Sequence, residues 1–264
     1  MSLYLCLFID SIPRYGVAMS QVSFDFQGMS VVVTGGARGI GAGIGAVFAA
    51  AGAEVTVWDR DPAAFTGTWH PALVVSADVT DEASLAAAMT QTLRTVGAVD
   101  VLVSSAGITG PVGPLWECGA DDWRRVVDID LTGAFLAAKT VVPHLRERGS
   151  GRIITIASIA GKEATASLSA YTAAKHGVVG MTKALARELV RDGVTVNAVA
   201  PVMVETELFS QLTDDFIERT RALIPMGRFL TVDEVAATVA WIASDLCGFT
   251  TGQVFDLSGG RADY

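Results

Sequence analysis

The chain has 264 residues and is 51% hydrophobic, which supplies a sizeable core and excludes a disordered or collagen-like polymer. Nineteen basic against 28 acidic residues leave a formal charge of −9, which argues against a nucleic-acid footprint or an anionic membrane surface and points to small-molecule partners. Cys6, Cys118 and Cys247 lack a CxxC spacing and His70, His144 and His176 lack ligand spacing, so neither disulfide framework nor metal is expected, and a reducing cytoplasm fits.

Residues 3–9 (LYLCLFI) are apolar but far short of the roughly 20 residues a membrane span needs. No Lys or Arg precedes Leu3, so a secretory signal is not expected either. Residues 1–23 read as an N-terminal arm or as the product of an upstream start, with Met19 opening the natural chain. From Gln27 onward, short Val/Ile-rich runs alternate with segments of helical period, the pattern of βαβ units. The runs lie at 30–34, 54–58, 73–76, 101–104, 152–157, 195–198 and 253–257. They predict one doubly wound domain over 24–264, with a parallel seven-stranded sheet of Rossmann type covered by helices on both faces. The only long interruption, 203–223, is the expected lid.

The first run leads directly into Thr34-Gly35-Gly36-Ala37-Arg38-Gly39-Ile40-Gly41, followed by a helical pattern. Glycines permit a tight turn and close backbone approach, and a helix N-terminus attracts a pyrophosphate. Asp59 follows Gly41 by 18 positions at the end of the second run, where a carboxylate can accept hydrogen bonds from both adenosine ribose hydroxyls. It would repel a 2′-phosphate, so NAD is expected over NADP; Arg38 and Arg60 are the cations that keep NADP open. Asp78, ahead of Val79, is placed to meet the adenine amino group, or else to cap the next helix in competition with Thr80.

Tyr171 and Lys175 stand four residues apart, on one face of a helix. An ordinary tyrosine titrates near pH ~10, and a neighbouring ammonium favours its phenolate, which suits proton exchange with a substrate hydroxyl. Ser158 ends the fifth run thirteen residues before Tyr171, where its hydroxyl can polarise the same carbonyl.

With TGGARGIG at 34–41, Ser158, YTAAK at 171–175, VNAVAP at 196–201 and TGQVFDLSGG at 251–260, the chain resembles the short-chain dehydrogenase/reductase family from about Phe24 to Gly260. The resemblance implies that Tyr171 is the acid/base and that Lys175 assists it and holds the nicotinamide ribose. It implies also that Ser158 orients the reacting carbonyl, that Ser105, Ala106 and Gly107 line the adenosine side, and that Val204 and Thr206, just beyond Pro201, meet the carboxamide. Two positions depart from the family pattern besides Ser104-Ser105 in place of two asparagines. Asp130 stands where the family usually has the asparagine of a proton relay to the lysine; a carboxylate there would favour the ammonium and oppose the phenolate, unless the main chain alone matters at that position. Val202 stands where glycine usually follows the proline, so either its branched side chain crowds the nicotinamide end or the change is neutral.

The loop between Ser158 and Tyr171 carries Lys162, Glu163, Thr165 and Ser167. Lys162 is either a holder of a substrate carboxylate or half of a solvated Lys/Glu pair. Residues 161–163 and 255–262 resemble sugar-acid dehydrogenases of the family, which oxidise 2-keto-3-deoxy acids. The expected activity is hydride transfer between NAD(H) and a secondary alcohol or ketone of a small polar hydroxy acid or sugar acid. Alternatives are an NADPH-dependent 3-oxoacyl-carrier-protein reductase, which Asp59 and the acidic charge disfavour, and a non-catalytic dinucleotide-binding regulator, for which Ser158, Tyr171 and Lys175 would have no use. The resemblance further implies a homodimer or homotetramer paired through helices beginning near Asp121 and Ala170; residues 255–264, apolar and then polar, read as a segment directed toward a neighbouring subunit, with Arg261 able to reach its active site.

Overall fold

The computed structural model describes residues 23–65, 67–205 and 214–262, with backbone alone at 214–216. The expected N-terminal arm, Cys6, Thr206 and the middle of the expected lid therefore lie outside the described residues. Seven strands form one parallel sheet: β1 (Ser30–Thr34), β2 (Glu54–Asp59), β3 (Leu73–Ser76), β4 (Val101–Ser104), β5 (Gly151–Ile156), β6 (Val194–Pro201) and β9 (Val254–Leu257). The spatial order β3-β2-β1-β4-β5-β6-β9 reverses direction beside β1, the topology of a doubly wound sheet. The two-residue strands β7 (Val204–Glu205) and β8 (Leu230–Thr231), absent from the predicted pattern, pair with each other.

Period-two alternation divides each strand between two apolar layers. Val32, Trp58, Leu102, Ile153 and Val196 face one layer, with Leu85 and Met89 of α2 (Glu82–Val96), Val141 and Leu145 of α4 (Gly133–Arg148), and Leu189 of α5 (Ser169–Leu189). Val31, Val33, Val101, Ile154 and Val199 face the other, with Ile44 and Phe48 of α1 (Gly39–Ala50) and Val235 and Val239 of α7 (Val232–Ala243). Because both faces are covered, β1 is buried at all five positions, which is why its sequence is a run of valines rather than an alternation. Phe26 joins this second layer and packs on Phe48 with ring centroids 4.8 Å apart.

α3 (Ala120–Val127) passes into α4 without a break, through a wider π-turn at Asp128–Thr132. Asp81 caps α2 by accepting from the Ala83 amide, so neither Asp78 nor Thr80 has that task. The Asn197 amide group of the VNAVAP motif donates to the Thr250 carbonyl and accepts from the Gln253 amide, and Thr251 Oγ1 accepts from the Val196 amide. These two motifs thus seat β9 on β6. α6 (Asp214–Ala222) follows β7. Among the described residues no helix is long and apolar enough to cross a membrane, and Cys118 and Cys247 are free thiols.

The start of α7 carries a capping box between Thr231 and Glu234. Arg228 grips the same carboxylate at 2.6 and 2.8 Å, and this hydrogen bonding, Arg228 first, holds Glu234 down at about 2. A depressed folded-state value gives stability that is present above the ordinary glutamate range and lost as pH falls toward about 2. The Glu234 side chain is 39% exposed, so solvent screening keeps the effect small. Glu234→Gln should melt slightly below the native protein near neutral pH, with the gap closing in acid; a gap that widens in acid would contradict this account.

Candidate active site

The turn after β1 meets the C-terminal ends of β2 and β4. Gly35 takes φ +64°, and a Cβ there would lie 2.7 Å from Ala106 Cα, while a Cβ on Gly41 would press into the Gly35 carbonyl. Both positions are closed to any side chain. Thr34 Oγ1 accepts from the amides of Ser105 and Ala106 at 3.1 and 3.2 Å, so the segments following β1 and β4 are tied together. Asp59 Oδ2 accepts from the Ala37 amide at 3.1 Å and its Oδ1 from the Asp61 amide at 3.0 Å. The carboxylate at the end of β2 is thereby anchored to the glycine turn, with remaining lone pairs for a pair of ribose hydroxyls. No side chain caps α1, where Arg38 is exposed in extended conformation at the N-cap. An uncapped helix start behind a glycine-rich turn fits a pyrophosphate.

The other expected cofactor residues lie as follows. Gly39 has positive φ, and Ile40 packs against the α1 layer. Asp78 Oδ1 accepts from the Thr80 amide and hydroxyl, which lower its carboxyl below the ordinary range. Val79 is buried against Gly133 at the start of α4. Pro201 closes β6, and Val204 is buried in β7. Val202 does not take positive φ: its amide donates to the Leu257 carbonyl and its side chain packs with Ile159, Ile224 and Phe229. The valine is thus part of an apolar cluster beside the Ser158 turn.

Ser158 follows β5 and is buried, its Oγ accepting from the Ala160 amide at 3.1 Å. Tyr171 and Lys175 lie in the first turns of α5, with Lys175 Nζ 5.5 Å from the centre of the Tyr171 ring. Lys175 donates to the Ile156 carbonyl at 3.1 Å, at the end of the strand that carries Ser158, and lies 3.2 Å from Asp130 Oδ2. Gly161, in the turn begun by Ser158, touches α5 so closely that a Cβ would lie 2.8 Å from the Lys175 carbonyl. The serine, tyrosine, lysine and aspartate thus converge on one end of the sheet beside Gly107, where a Cβ would lie 3.0 Å from Asp130 Oδ2.

The loop between Ser158 and Tyr171 is held differently from a solvated Lys/Glu pair. Lys162 is buried and its Nζ lies 2.6 Å from Asp256 Oδ2, while Glu163 accepts from Arg261 Nε at 3.1 Å. The solvated Lys/Glu pair is therefore corrected to two pairs, one reaching into β9 and one the segment after it. Arg261 bonds within its own chain. Asp256 is drawn down by Lys162 and Ser258, although burial alone would raise it. Spacing gave no signal for these pairs or for the Thr34 hydroxyl, since each joins residues distant in the chain. Among the described residues no group of three or more His, Cys, Asp or Glu side chains could hold a metal.

A family model described as Enoyl-(Acyl carrier protein) reductase matches residues 35–262. The chain belongs to the short-chain dehydrogenase/reductase family. It is an oxidoreductase acting on CH–OH groups. The 2-dehydro-3-deoxy-L-rhamnonate dehydrogenase (NAD(+)) of Sphingomonas sp. (strain SKA58) is 43% identical over 249 residues, 93% of this chain and 100% of that protein. The cis-4-hydroxycyclohexanecarboxylate dehydrogenase of Sinomonas cyclohexanicum is 41% identical over 235 residues, 87% of this chain and 94% of that protein. The crystal structure of a 3-ketoacyl-(acyl-carrier-protein) reductase from Brucella melitensis complexed with NADH superposes with a TM-score of 0.84 at 33% identity, covering 90% of this chain and 99% of that one.

The cradle yields a prediction for the free short-chain dehydrogenase/reductase. Gly41→Ala forces a Cβ onto the Gly35 carbonyl, whereas Gly39→Ala meets open space and has only its positive φ to overcome, about 1–2 kcal/mol. Melting of the nucleotide-free variants should show the larger loss for Gly41→Ala, together with loss of NADH binding by fluorescence titration. A Gly41→Ala protein that melts like the native one would remove the steric reason for the glycine.

Proposed function

We propose that this chain is an NAD-dependent dehydrogenase that interconverts a secondary alcohol and a ketone on a small polar hydroxy acid or sugar acid. The observation that carries the reading is the convergence of Ser158, Tyr171 and Lys175 beside a nucleotide cradle that ends in an anchored carboxylate, Asp59. Asp59 supports NAD over NADP because a 2′-phosphate would face its charge. The names of the two curated relatives, one specifying NAD(+) and both describing small acids, support the cofactor and the substrate class. In this reading Gly35, Arg38, Gly39, Ile40 and Gly41 hold the pyrophosphate. Asp59, Asp78, Val79, Ser105, Ala106 and Gly107 line the adenosine side, and Pro201, Val204 and Thr206 the nicotinamide end.

NAD supplies a hydride acceptor when bound. The rest belongs to the chain. Ser158 orients the substrate oxygen by hydrogen bonding, Tyr171 takes the hydroxyl proton on its phenolic oxygen, and the Lys175 charge behind the ring stabilises the phenolate before that transfer. Lys162 serves the substrate side by bracing the loop against Asp256. One domain over 24–264 is supported by the two apolar layers on a single sheet. Assembly as a dimer or tetramer is supported by Leu246 and Phe249, exposed just before edge strand β9. The free Cys118 and Cys247 thiols support the cytoplasm.

With NAD and a panel of 2-keto-3-deoxy sugar acids and hydroxy acids, the protein should form NADH, and NADP should serve less well. Tyr171→Phe should lose about a hundred- to ten-thousand-fold in kcat. Fast NADPH oxidation on an acetoacetyl thioester, with no turnover of any acid, would replace this reading with a carrier-protein reductase.

A further inference from the structure

The Asp130 side chain is 0% exposed and Lys175 only 6%. Oδ1 accepts from the Ile108 amide at 2.8 Å, and Oδ2, which has no aligned hydrogen bond, lies against Lys175 Nζ at 3.2 Å. Each oxygen therefore faces a donor. An asparagine of the same shape has only one acceptor oxygen, so in either orientation its NH2 would point at the Ile108 amide or at the Lys175 ammonium. Gly107 closes the third side, since a Cβ there would lie 3.0 Å from Oδ2 and 3.3 Å from Lys175 Nζ. The backbone that presents Asp130 is the π-turn between α3 and α4, a widening often found at functional sites.

We propose that Asp130 is a positioning residue whose carboxylate pairs directly with Lys175 and offsets the pull of that ammonium on the Tyr171 phenol, so that the pH dependence of the enzyme is set by the pair rather than by the lysine alone. The inference rests on the dehydrogenase reading above. The charge arithmetic is simple: a buried cation favours phenolate, and an anion beside that cation opposes it. The other ionisable groups on the packed elements face elsewhere. On α5, His176 Nδ1 bonds the Thr172 carbonyl. The charged residues of α3 and Asp128 of the π-turn are exposed, and Lys139 of α4 pairs with Glu82. Within the site, burial raises the Asp130 carboxyl and the Lys175 charge only partly counters it.

The test compares the native enzyme with Asp130→Asn. Removing the negative charge should move the rising limb of kcat/KM for alcohol oxidation to lower pH, by about half a unit or more. Independently of turnover, 13C spectra of the nucleotide-free proteins, with the Asp130 signal assigned by its loss in Asp130→Asn, should show the Asp130 carboxyl carbon titrating at higher pH in Lys175→Met than in the native chain, because the paired ammonium that favours the carboxylate is gone. Coincident pH profiles in two active, equally stable proteins overturn the proposal, as does an Asp130 carbon that titrates at the same pH with and without the Lys175 ammonium. A native protein inactive on every alcohol sinks the dehydrogenase reading instead and leaves the carbon titration to decide the pairing. If Asp130→Asn does not fold, Asp130→Ser removes the same charge with less bulk and is read the same way.

Discussion

Lys175 carries its charge where water hardly reaches, and the surrounding chain meets that demand from three elements. β5 offers the Ile156 carbonyl, the π-turn between α3 and α4 offers the Asp130 carboxylate, and the first turns of α5 place the Tyr171 ring alongside. An unpaired buried ammonium would be expensive, so these contacts are a condition for folding as well as for chemistry. Ser158 inherits its position from the same arrangement, because the strand whose last carbonyl bonds Lys175 leads within two residues to the serine.

What could be read in advance and what could not divide along physical lines. A sheet covered on both faces requires contiguous β-branched residues, so Val31, Val32 and Val33 announced β1, and the glycine turn, Asp59 and the Tyr171–Lys175 spacing are all local patterns. Contacts that join distant segments leave no trace in spacing. Thr34 accepting from Ser105 and Ala106, the burial of Lys162 and the pairing of Arg261 with Glu163 are of this kind. Val202 was conspicuous as a departure from glycine, but its fate depended on an apolar cluster assembled from Ile159, Ile224 and Phe229.

β9 and the segment after it tie the turn bearing Ser158 to the chain that follows α6. Asp256 and Arg261 hold adjacent residues of that turn, and the Gly259 carbonyl accepts from the Met226 amide. Ala262 then packs into the cluster around Ile159 and Val202. A serine that must present its hydroxyl at a fixed point benefits from supports on rigid elements, and here the edge strand supplies them.

The strand order has a kinetic side. β1 pairs with β2 on one edge but with β4 on the other, and the partner of Val31 on that second edge is Val101. During synthesis β1 and β2 emerge well before β4, so one side of the central strand, with its unpaired amides and carbonyls, waits for a partner. Pairing of this kind, distant in sequence and parallel in direction, is slow to form and exposed to association with other chains in the interval. The same valine run that makes the finished sheet stable is therefore the segment that most needs protection while the chain is incomplete.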